Sequence, residues 1–156
     1  MDGAEPNSTS TRAQQLERFH ASLDRATADP AFLDRFYDSF MAISPEIASI
    51  FEHSDMARLK RKLKSSLHIM TLAVDEAPGA DEYLRFLGRT HRRFEIAPSH
   101  FDLWTLSLVA TARRCDPEFD SELDSIWSEV IRTGVDIMRS ALEATARAGD
   151  ARRTGR

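Results

Sequence analysis

Leu84, Leu87 and His91 recur at intervals of three and four residues, the spacing that puts side chains on one face of a helix. An imidazole closing such an apolar face is either a satisfied core histidine or a ligand to a metal or cofactor. One turn back, the carbonyl of Leu87 is in reach of one ring nitrogen, which would leave the other free to donate. Pro98 must stop this helix, because proline lacks an N–H and its ring clashes with the preceding turn. Ser99 is the expected cap of a new helix carrying Phe101, Trp104 and Leu108. Phe94, Ile96 and Phe101 therefore line up just beyond the imidazole. A second polar group, Tyr37, lies on a helix otherwise rich in phenylalanine. A buried phenol there needs a hydrogen-bond partner, from the backbone or from a ligand.

These residues must be positioned by a set of unequal helices. Leu16, Phe19 and Leu23 mark the first, from Arg12 to about Ala28. Asp29-Pro30 signals the start of a second, carrying Phe32, Leu33, Phe36, Tyr37 and Phe40. Ser44-Pro45 repeats that signal for a short helix ending near Phe51. After it, Met56, Leu59, Leu63, Leu67 and Met70 share a face of a long helix. Following the His91 and Phe101 helices, Cys115-Asp116-Pro117 is the expected cap of a last helix with Phe119, Leu123, Ile126, Trp127, Val130 and Met138. No stretch alternates with period two, so the expected class is all-α. The turn-rich residues 1–11 read as a disordered arm, 12–146 as one domain and 147–156 as a flexible tail.

Composition narrows the function classes. The chain has 156 residues, with 42% hydrophobic and 29% charged, enough for a single substantial core. A net charge of -4 with mixed basic clusters gives no nucleic-acid signature. No apolar run approaches the length of a membrane span and no signal peptide is read, so the expected location is cytoplasmic. A lone cysteine, Cys115, excludes an internal disulfide framework and a multi-cysteine zinc site.

Three stretches together resemble the globin family, in its bacterial single-domain and flavohaemoglobin-like branch. They are HRRFEIAPSHF at 91–101, RFYDSF with SPEIASIF between 35 and 51, and Trp127 in the last helix. They span about Leu16 to Leu142 in the family's order. The resemblance implies a globin fold of seven to eight helices around a b-type haem, with His91 as the iron ligand. It implies Phe51 as the aromatic wedge against the porphyrin and Tyr37 as the distal phenol that donates to bound O2. Leu59 and Leu63 would face the gas site, Lys62 would stand at the pocket edge near a propionate, and Trp104 would lie in the helix behind the haem.

The match also departs from the branch. Where many relatives carry a distal glutamine or histidine, this chain has Leu59. Lys60 in that slot would turn Leu63 to the wrong side, so Leu59 is preferred. The proximal tyrosine and glutamate of flavohaemoglobins correspond here to Phe101 and Leu142, with Glu143 turned away. His20, His53 and His100 read as solvated or capping residues, and His68 lies opposite Leu59. The expectation is a five-coordinate iron that reversibly binds O2, NO or CO for ligand binding, scavenging or sensing, in a monomer or weak homodimer. The alternatives are an NO dioxygenase or peroxidase-like enzyme served by an external reductase, and a haem-free regulatory module that acts through a signalling partner. No flavin or nicotinamide domain is read in these residues. His91 and Phe51 weigh against the haem-free reading.

Overall fold

The computed structural model describes residues 11–94 and 96–155, all of whose regular elements are helical. In order they are α1 (Arg12–Ala28), α2 (Phe32–Met41), α3 (Pro45–Ile50), α4 (Met56–Val74), α5 (Ala80–Thr90), a 3₁₀ turn over His91–Phe94, α6 (Pro98–Cys115) and α7 (Ser121–Thr154). Residues 1–10 of the expected arm lie outside the described residues, and Thr11 is the capping residue of α1.

Local chemistry explains most boundaries. Thr11 and Gln14 form a reciprocal capping box on α1. The Ser44 hydroxyl accepts from the Ile47 N–H and Pro45 takes the first position of α3. Asp55 accepts from the Arg58 N–H at the start of α4.

Four boundaries differ from the pattern expected above. Asp29-Pro30 does not cap α2: Asp29 closes α1 and accepts from the Ala31 N–H, and α2 starts at Phe32 with Ala31 as a cap that makes no side-chain bond. The cap of α6 falls at Ala97 rather than Ser99, because Pro98 itself occupies the first helical position, where a missing N–H costs nothing. The Ala97 N–H donates instead to Nδ1 of His100, at 3.0 Å. Asp116 closes α6, and Asp120 caps α7 by accepting from the Leu123 N–H at 2.8 Å. The segment expected to be a loose tail from Arg147 is helical to Thr154, in keeping with its alanines and arginines, which are strong helix formers.

α7 is the hub of the domain. It packs against α1, α4, α5 and α6, while α2 lies on α6 and α4 on α5. Trp127 in its second turn is fully buried, with Phe19 of α1 at 4.7 Å between ring centroids. Leu123, Ile131, Leu67, Leu84 and Leu108 are likewise buried, each worth about 1.5–3 kcal/mol relative to exposure. A polar chain crosses this core: the Trp127 indole N–H donates to Ser22, Ser22 donates to Asp116, and Arg25 caps the same carboxylate. Burial works against ionisation of Asp116. Its hydrogen bonds from Arg25, Ser22 and the Glu118 N–H outweigh that, and hold the carboxyl below its ordinary value.

Two glycines let α7 approach its neighbours. A Cβ on Gly88 of α5 would stand 2.3 Å from the Met138 carbonyl oxygen, and one on Gly134 would meet the Met70 side chain at 2.5 Å. The first contact sets the depth of α5, three residues before His91.

Candidate haem site

His91 stands at the junction of α5 and the 3₁₀ turn, one residue past the helix end. Its Nδ1 lies 2.6 Å from the Leu87 carbonyl oxygen, as the i, i+4 spacing implied. That oxygen also receives the Thr90 hydroxyl at 2.7 Å. Helix ends tighten in this way when several donors converge on the last carbonyls. A carbonyl can only accept, so the proton belongs on Nδ1 and the free lone pair on Nε2. Burial lowers the His91 pKa, and the bond to Leu87 offsets only part of that. The imidazole is therefore neutral at pH 7, the form that can ligate a metal. Phe101 of α6 stands 5.9 Å from it, centroid to centroid.

An aromatic cluster fills the space between α2, α3 and α6. Phe36 packs edge-on against Trp104 at 5.9 Å, and Tyr37 packs against Phe36 at 4.9 Å and Phe51 at 5.7 Å. Phe40 closes the group on Phe51 at 5.9 Å. Tyr37 is 6% exposed, and burial raises its pKa to about 12. Its hydroxyl has no hydrogen-bond partner among the described residues. It is free to donate to a ligand that can accept from it.

On α4, Leu63 is buried and Leu59 packs against the core. Lys60 pairs with Asp34 on α2. Lys62 is exposed. Leu87, Ile96, Trp104 and Leu142 are half-buried against the core, whereas Phe94 is 46% exposed beneath the Arg93 guanidinium. Neither Phe94 nor Lys62 joins the aromatic cluster.

The other histidines have different settings. His68 is exposed and stacks on His20, and His53 is exposed. His100 is buried between the Ala97 N–H and Glu46, tying α6 to α3. Among the described residues no group of three or more His, Cys, Asp or Glu is arranged to hold a metal ion.

Two contributors were missed by the sequence pattern. Gly88 was passed over, although a glycine inside a helical pattern is itself a sign of close approach. Arg139 of α7 lies 5.8 Å over the Phe101 ring and donates to Asp102 at 2.6 Å. No local pattern points to it, because its partners lie on another helix.

A sequence model of the globin family matches residues 34–138, two thirds of the chain, and the chain belongs to that family. Among solved structures it is similar to a Pseudomonas aeruginosa PAO1 protein described as structurally highly homologous to a human hemoglobin. That match has 28% identity and a TM-score of 0.77, and covers 82% of this chain and 98% of the other. No curated protein sequence matches.

Proposed function

We propose that the protein binds one b-type haem through His91 and reversibly takes up a diatomic gas, O2, NO or CO. The observation that carries this is the pairing of a neutral imidazole, its Nδ1 tied to Leu87 and its Nε2 free, with a buried phenol that lacks a partner. The residues present suit haem: one nitrogen donor, apolar side chains from α2, α4 and α6, and a polar group fit to meet a ligand. When bound, the haem iron supplies the site at which a diatomic gas is held.

The chain's own residues then set the properties of that site. Leu87 orients the imidazole and, being a neutral acceptor, adds little to its electron donation. Phe101 and Leu142 leave an apolar proximal side where flavohaemoglobins carry a tyrosine and a glutamate. Tyr37 stays protonated well above neutral pH, so it acts as a donor to the gas ligand. Leu59 and Leu63 add no second donor and no competing base from α4.

Haem titration into the apoprotein tests this reading. One equivalent should bind, the ferrous form should be five-coordinate, and CO should bind to it. A ferrous low-spin bis-histidine spectrum would contradict it, and would point to a second histidine reaching the iron.

A further inference from the structure

A groove of about 750 Å³ runs between α5, the 3₁₀ turn and the second half of α7. Its charged lining is lopsided: Arg85, Arg89, Arg92 and Arg152 against one acid, Asp136. Arg85 is already paired with Asp81 and Glu82. Arg89 and Arg152 have no carboxylate partner among the described residues. Arg92 lies across the far end, its guanidinium donating to the Thr145 carbonyl at 3.4 Å. Gly149 leaves room for it there, since a Cβ at that position would stand 2.6 Å from the Arg92 Nη2.

The floor has a different character. Ile137, Ala141, Ala144 and Ala148 line it at intervals of four, three and four, the spacing of a helix-packing seam. Ala144 and Ala148 are exposed. From Asp136 to Arg152 this face is about 24 Å long at 1.5 Å per residue. Small residues along such a seam let another backbone come close.

Three occupants are conceivable, and the charges separate them. A second copy docking through a two-fold axis would double the excess of arginines across one interface, and like charges so placed are repulsive. A small polyanion would need several free guanidiniums converging on one point, whereas Arg85 is held by Asp81 and Glu82, Arg92 donates to the Thr145 carbonyl, and the two remaining arginines, Arg89 and Arg152, come from different helices with an apolar floor between them. We propose that the groove docks an acidic amphipathic helix of a partner protein. Its apolar stripe lies on Ala141, Ala144 and Ala148, and its carboxylates face the arginines. The docking site does not depend on haem, although it ends at Arg92, the residue after His91.

The test is fluorescence anisotropy of the full chain with a labelled helical peptide of about five turns, about 18 residues, carrying a Leu/Ala stripe flanked by glutamates. This peptide should bind, weakening as salt rises. Arg89→Glu with Arg152→Glu should weaken it at least about tenfold, the loss of roughly 1.4 kcal/mol. Ala144→Gln, which fills the floor without changing charge, should also weaken it several-fold. All variants should keep the wild-type circular dichroism and thermal midpoint. Equal binding of a peptide with lysines in place of the glutamates, or no effect of the arginine reversals, would overturn the proposal. Tripolyphosphate binding that ignores Ala144→Gln, with no peptide binding, would instead assign a small-anion site. Self-association in sedimentation that is abolished by Ala144→Gln would assign the groove to a second copy.

Discussion

Gly88 lies so close to Met138 that a single added methyl group on α5 would stand 2.3 Å from the carbonyl oxygen of α7. Backbone cannot yield as a flexible side chain can, so Gly88→Ala must push the two helices apart. Overpacking of this kind costs about 1–3 kcal/mol, or about 2–4 °C of thermal midpoint per kcal/mol for a chain of this size. Because His91 is three residues away, haem affinity should fall with stability. Thermal unfolding and haem titration of the variant check both. An unchanged midpoint would mean that the α5–α7 contact is looser than described.

On the proposed reading, Tyr37 is the donor to the bound gas. A hydrogen bond to a ligand carrying partial charge contributes about 1.5–3 kcal/mol, a change of about 10- to 150-fold in release rate. Tyr37→Phe should speed O2 release by that factor and barely alter CO, whose outer atom carries less charge. Leu59→Gln should slow O2 release by adding a second donor. Stopped-flow release measures both, and an unchanged O2 rate in Tyr37→Phe would make Tyr37 a core residue only.

The raised Tyr37 pKa adds a pH expectation. With its phenol protonated up to about pH 12, the donor persists through neutral and mildly alkaline conditions. The phenolate absorbance missing from Tyr37→Phe should therefore appear only in strongly alkaline solution. A phenolate forming near pH 10, the ordinary tyrosine value, would show that the ring is solvated.

Asp116 links α1 to the α6–α7 corner, and its folded pKa is held below the ordinary value of 3.8. The unfolded chain then binds the proton more readily than the folded one. The stabilisation is thus complete above about pH 4 and is lost as pH falls through the folded value. Asp116→Asn should cost about 1–3 kcal/mol at neutral pH by removing the buried charge partner of Arg25, which keeps only the exposed Glu118. It should also flatten the acid limb of stability between pH 4 and 2. Chemical denaturation across that range checks the slope, and parallel wild-type and variant curves would contradict the assignment.

How much of this was legible in the sequence follows the range of each interaction. The Leu87–His91 bond is an i, i+4 relation, so apolar spacing alone pointed to it. Ser44-Pro45 and the inner face of α4 were legible for the same reason. The α6–α7 corner was not, because the Asp116 carboxylate is occupied by Ser22 and Arg25, more than ninety residues away, and Asp120 is left to cap α7. Ser99 was displaced as a cap by the stronger claim of Pro98 on the first helical position. Gly88 and Arg139 matter only against Met138 and Phe101, contacts that local spacing does not encode. Phe94 was expected to line the pocket with Ile96 and Phe101, yet it sits exposed in the 3₁₀ turn, because the tighter winding there breaks the helical spacing on which the expectation relied.

The central claim is that His91 is the group that holds haem, and the most direct measurement is the absorption spectrum of the haem-reconstituted protein beside that of His91→Ala. The wild type should show a Soret band at one equivalent and a five-coordinate ferrous spectrum that shifts with CO. His91→Ala, with its helical circular dichroism intact, should retain little or no haem. If that variant keeps the same Soret band, affinity and ferrous spectrum, another residue holds the iron and the site described here is wrong.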